Sequence, residues 1–98
     1  MTTEKILEVV TLYRKRFETE KVHKERMDLF SHFSFSNQEV AKRKMLEHAY
    51  YLLDGVEEFA RNPDKIGKTN RHLGSIQTLL LISGWYTLDE LMNHNRPD

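Results

Sequence analysis

The chain contains no cysteine. Disulfides, thiolate zinc sites and cysteine nucleophiles are therefore excluded. It has no net charge, since 15 Lys and Arg balance 15 Asp and Glu. A dedicated non-specific DNA binder usually carries a basic excess, so balance argues against that class while permitting a local basic patch. No apolar run approaches the roughly 18 residues of a membrane span. The longest, Leu79 to Ile82, reads as a core segment. The first residues mix acids and bases among their apolar positions and lack the apolar stretch of a signal peptide. The expected setting is a cytoplasm, that of the cell or of a host. Internal repeats and low-complexity tracts are also lacking.

What is present is a pattern of helices. The 98 residues are the size of one domain spanning 1–98. A chain this short buries roughly 60–65% of its unfolded surface, so a shallow or shared site is easier to build than a large cavity. Ile6, Val9 or Val10, Tyr13 and Phe17 recur at helical spacing and predict a first helix from Thr3 to about Leu29. Its second half, Glu18 to Arg26, carries only Val22 as an apolar residue. Phe30 to Phe35 is a short aromatic connection. Ser36-Asn37-Gln38-Glu39 reads as a capping box, stapled by Phe35 and Val40, that starts a second helix. Gly55 permits a bend in that helix and Asn62-Pro63 ends it. Asn62 to Asn70 reads as a polar hinge. A third helix begins near Thr69, buries Leu73, Ile76, Leu79, Leu80 and Ile82, and stops at Gly84 in left-handed conformation, with Trp85 folding back. Thr87-Leu88-Asp89-Glu90 is a second capping box, stapled by Tyr86 and Leu91, for a short fourth helix to about His94. The expected fold is all-α: a small helical bundle of two long antiparallel helices, a third helix packed across them and a short C-terminal helix closing one end.

Charge is unevenly spread. Gln38 to Phe59 holds five acids against three bases, whereas Arg61 to Gln77 holds Arg61, Lys65, Lys68 and Arg71 against Asp64 alone. With a helix starting near Thr69, Lys68, Thr69, Asn70 and Arg71 crowd its first turn, with His72 beside them. Free amides and the helix dipole make such an end attractive to anions. Arg71 suits bidentate contact with a phosphate, and Asn70 and Gln77 suit a base or sugar edge. The alternative is a solvated basic loop with Arg71 paired to an acid on the second helix. Tyr13 and Phe17 interleave with Arg14-Lys15-Arg16, which adds Tyr13 as a second ligand candidate. Gly67-Lys68-Thr69 is not a P-loop, because Asn62 stands at the first glycine position and no strand precedes it. None of the five histidines forms a metal-binding pair at helical spacing. Tyr50 and Tyr51 are adjacent, so one should be core and the other surface. No nucleophile motif is present. No catalytic residue, metal site or cofactor is expected.

Asn70-Arg71-His72-Leu73-Gly74-Ser75-Ile76-Gln77, Gly84-Trp85-Tyr86-Thr87-Leu88-Asp89-Glu90-Leu91 and Asn95-Arg96-Pro97 resemble segments of small uncharacterised proteins of tailed bacteriophages. The resemblance covers about 30 residues. Gly74, inside a helix, is the part that folding alone does not demand. The resemblance implies an accessory protein that counteracts host defence, by disabling a host factor or sequestering a small signal. The expectation is thus a non-enzymatic, oligomeric binder of an anionic ligand or nucleotide through Lys68, Thr69, Asn70, Arg71, His72, Gln77 and Tyr13. The rivals are an inhibitor that grips a host protein with its long first helix, and a nucleic-acid binder that reads with its third. No membrane partner is expected.

Overall fold

The computed structural model describes residues 1–27 and 37–97. Among them lie four α-helices and no strand: α1 (Thr3–Thr19), α2 (Gln38–Ala60), α3 (Ile66–Ile82) and α4 (Leu88–Asn95). The expected all-α bundle is what the chain forms.

The first helix is shorter than its pattern suggested. α1 stops at Glu20 rather than near Leu29, and the described residues that follow are not helical. Lys21 takes a left-handed φ of 57°. The Val22 amide donates to the Phe17 carbonyl and the Lys21 amide to that of Glu18. This is a Schellman stop made without glycine. Val22, just past the stop, packs against the core. The strand of chain beyond is tied to α2 by the Glu25 amide on the Glu47 carbonyl and by Lys24 on Asp54.

At the start of α2 the cap is Asn37, whose side chain accepts from the Val40 amide at 2.9 Å. Phe35 and Ser36 of the expected stapled box, and the aromatic segment 30–35, lie outside the described residues. α2 runs unbroken through Gly55. The expected polar hinge does not exist. Asn62 caps a single 3-10 turn at Pro63–Lys65, and α3 follows from Ile66. The second box is as expected: Glu90 N–H donates to Thr87 Oγ1 at 3.2 Å, and Thr87 N–H to the Glu90 carboxylate at 2.9 Å. So is the stop at Gly84, with φ of 83° and bonds from Trp85 to Leu80 and from Gly84 to Leu81.

α2 is antiparallel to both long neighbours. Thr3 reaches Ala60 while Phe17 stacks on Tyr50. On the other side Phe59 meets His72, and His48 and Thr78 line one groove. α3 therefore lies alongside α2 rather than across the pair. α4 covers the open side between α1 and α3. The core is the inward stripe of each helix: Ile6, Val9, Val10, Tyr13 and Phe17 from α1, Ala49, Leu53 and Val56 from α2, Leu73, Ile76 and Leu80 from α3, and Leu91 from α4. Phe17 is fully buried, stacked on Tyr50 at 4.6 Å and tilted against Trp85 at 5.1 Å. Truncating such a side chain to Ala costs about 3–5 kcal/mol. The apolar run at the end of α3 is only half core. Leu80 is buried, but Leu81 and Ile82 are exposed at 38% and 59%. The helix turns by 100° per residue, so four consecutive residues cannot share one face.

Candidate functional site

The seven candidate residues divide among a groove between α2 and α3, a polar network on the far side of α3, the core and the solvent-facing surface. The first is an open groove of about 860 Å³ between α2 and α3. Its walls include His48 and Leu52 from α2, and Arg71, His72, Thr78 and Leu79 from α3. It continues along α2 into a smaller depression lined by Tyr51, Phe59 and again His72. Antiparallel packing brings these residues together. Successive turns of α2 from His48 to Phe59 face successive turns of α3 from Leu79 back to His72.

The groove's charge is positive at its α3 end. Among the described residues, Arg71 has no ion-pair partner, so the expected alternative pairing with an acid on α2 is not made. The α2 acid Glu57 is engaged instead by Arg14 and Arg61. Arg71 folds back over Gly67, its Nη1 lying 3.5 Å from where a Cβ would stand, an ordinary contact distance. Lys68 Nζ sits 4.3 Å from the centre of the Phe59 ring, a cation–π contact. Phe59 in turn meets His72 edge-on at 5.5 Å. Burial, and then the positive charges of Lys68 and Arg71, hold the His72 pKa below its usual value. His48 is buried and accepts the Met27 amide at Nδ1, at 3.1 Å. Its proton is therefore on Nε2. Burial and the charge of Arg26 lower its pKa too. Tyr51 is exposed and stacks on the His48 ring, whereas Tyr50 turns inward onto Phe17. The adjacent pair splits as expected.

Thr69 does not join the groove. It is fully buried and its hydroxyl donates to the Lys65 carbonyl at 2.8 Å. With α3 starting at Ile66, position 69 has rotated onto the core face. Asn70 points to solvent.

Gln77 and Tyr13 form the second polar centre, on the far side of α3. Gln77 Nε2 donates to Tyr13 Oη at 3.0 Å and to Asn95 Oδ1 at 2.7 Å, and Asn95 Nδ2 returns a bond to Gln77 Oε1. The phenol is also hydrogen-bonded to His94 Nδ1, 2.9 Å away, with the imidazole tautomer setting which of the two donates. Tyr13 has no exposed surface, and burial pushes its pKa up to about 12. Burial lowers that of His94. Every member of this network satisfies another. It is a structural bolt joining α1, α3 and α4, and Gln77 and Asn95 also line a shallow groove between α3 and α4. The Arg14-Lys15-Arg16 run is likewise engaged. Arg14 bonds Asp54 and Glu57. Arg16 lies over the Trp85 and Tyr86 rings and donates to the Trp85 carbonyl.

Of the seven candidates, Arg71 and His72 line the groove and Lys68 adjoins it through Phe59. His48, Leu52 and Leu79 are groove residues that the sequence did not single out. Nothing in their local pattern marks them, because the groove exists only once α2 and α3 pair. Among the described residues no group of three His, Asp or Glu side chains could hold a metal ion, and no helix is long and apolar enough to cross a membrane. Comparison with protein-family models, with curated proteins and with solved structures gives no match.

Proposed function

We propose that this chain is a non-enzymatic binding protein that holds an anionic small molecule of the nucleotide class in the groove between α2 and α3. The observation that carries this reading is Arg71: a guanidinium at the mouth of a groove, without an ion pair among the described residues. A guanidinium presents paired donors that match a phosphate. His72 and Lys68 add donors on the same side, and Tyr51 and Leu52 offer the flat and apolar surface that a base requires. The phage resemblance of the α3–α4 segments supports an accessory role in which such a ligand is sequestered.

The test is a thermal-shift panel of nucleotides and cyclic nucleotides. At a ligand concentration of 100 Kd, binding to the folded state alone adds about 2.7 kcal/mol, a shift of several degrees. Arg71→Ala should abolish the shift while leaving the unliganded melting temperature within a degree or two, since Arg71 is exposed. No shift across the panel, or an equal shift in Arg71→Ala, refutes the reading. Affinity for oligonucleotides that collapses between 50 and 200 mM salt would support the nucleic-acid alternative instead. On the inhibitor reading, the helix offered to a host protein runs to Thr19 and exposes Leu12 as a large apolar side chain, while segment 30–35 lies outside the described residues.

A further inference from the structure

The outward face of α3 is unlike the rest of the surface. Gly74, Ser75, Thr78, Leu81 and Ile82 lie within about 120° of the helix circumference, opposite the buried stripe of Leu73, Ile76 and Leu80. All five are exposed and uncharged, and the exposed Arg71 is a charge at the N-terminal end of the same face. Beside them α4 presents Leu88 and Met92, exposed at 59% and 50%. Every residue lining the shallow groove between α3 and α4 is uncharged. In a chain of which 31% is charged, such a tract is a poor solvent surface.

Three features fit this face to burial against a helix. The hydroxyls of Ser75 and Thr78 already donate to the Arg71 and Gly74 carbonyls, at 3.1 and 2.9 Å. Covering the face would therefore strand neither of them. Gly74 has an ordinary helical backbone, and a side chain added there meets nothing within 4 Å. The fold of one copy gives no reason for glycine, which costs about 1 kcal/mol in a helix. Finally, the face is complementary to itself. In an antiparallel pair of α3 helices centred on Thr78, Gly74 opposes Ile82 and Ser75 opposes Leu81. The two small residues of each copy receive the two large ones of the other, the arrangement that a two-fold interface requires.

We propose that a second copy of this chain docks on this face, α3 against α3 around a two-fold axis near Thr78, with Leu88 and Met92 at the margin. The footprint sets its strength. Arg71 to Ile82 spans about 18 Å, and two helices side by side are about 20 Å wide, giving about 360 Å² in projection. A standard stable interface takes about 800 Å² from each partner. The pair is therefore a small, reversible one. Gly74 and Thr78 also wall the α2–α3 groove, so the second copy would deepen that groove from its α3 side.

The cysteine-free chain makes the test direct. Sedimentation equilibrium from about 5 to 500 µM should show the average mass rising from 11.7 kDa towards twice that value. Ile82→Lys should weaken dimerisation at least tenfold with an unchanged circular dichroism spectrum. Thr78→Cys should form a disulfide-linked dimer under mild oxidation. Helices about 9–10 Å apart, with Cα atoms 2.3 Å from each axis, bring facing Cα atoms to about 4.4–5.4 Å, which a disulfide can span. Leu12→Cys, on α1, should not cross-link. A chain that stays monomeric at 500 µM, a dimer indifferent to Ile82→Lys, or a Thr78→Cys variant that cross-links no faster than Leu12→Cys overturns the proposal. None of these measurements involves a ligand, and Ile82 lies outside the anion groove, so failure here is distinct from failure of the binding reading.

Discussion

Replacing Tyr13 by Phe removes one oxygen from the centre of the molecule. That oxygen accepts from Gln77 and is hydrogen-bonded to His94. Gln77 keeps its bond to Asn95, so its loss is small. His94 Nδ1 loses its partner. A hydrogen bond contributes about 1 kcal/mol net, and a buried group left without a partner costs about 1–3 kcal/mol. The expected destabilisation at pH 7 is about 2–3 kcal/mol, or roughly 10–20 °C in melting temperature for a domain of this size. The pH dependence tests a separate property, the cost of ionising a buried phenol. The Tyr13 pKa is raised from 10.0 to about 12 in the folded protein. A raised pKa means that the stabilisation is complete below the unfolded value and is lost as pH rises from about 10 towards 12. Two units correspond to about 2.7 kcal/mol. Urea denaturation of both proteins at pH 7 and across pH 9–12 isolates this contribution, because the Lys and Arg titrations are common to both. The gap between wild type and Tyr13→Phe should be about 2–3 kcal/mol at neutral pH and should narrow above pH 10. A gap below 0.5 kcal/mol, or one that does not change with pH, would refute the reasoning.

Further outcomes follow from other contacts. His48, His72 and His94 all have folded pKa values lowered chiefly by burial. The unfolded chain protonates first, so stability is complete above about pH 6.5 and falls as pH drops through the lower folded values. Urea midpoints at pH 7.5 and 5 should differ accordingly, and equal midpoints would contradict the assignment. Lys21→Gly relieves a left-handed backbone and should stabilise by up to about 1 kcal/mol, whereas Gly84→Ala should destabilise by about as much. Calorimetry that finds the same sign for both would remove the Schellman account of the α1 terminus. Thr69→Val keeps the buried volume and loses one helix back-bond. Its stability should stay within about 1 kcal/mol and any nucleotide-induced shift should persist; loss of that shift alone would return Thr69 to the binding site.

Features that act within one or two turns were legible in the chain. The Thr87–Glu90 box, the Gly84 stop, the Pro63 boundary and most of the inward stripes could be read, because caps and helical periodicity link residues at most a few positions apart; Ile82, expected inside, is exposed. The end of α1 was misjudged. Glu18 to Arg26 is rich in good helix formers, yet the helix stops in a left-handed turn at Lys21 with Val22 packed against the core. The start of α3 was also placed three residues late, which put Thr69 on the wrong face. The candidate site was legible only in part. Arg71, His72 and Lys68 stand out as a basic cluster, but the groove that gives them meaning needs His48 and Leu52 from another helix. Tyr13 and Gln77 looked like ligand groups because both are polar and near cations. Tertiary structure alone decided that they bond each other and His94, which lies 81 residues from Tyr13. Contacts at that separation depend on how helices pair, and no local spacing carries that information.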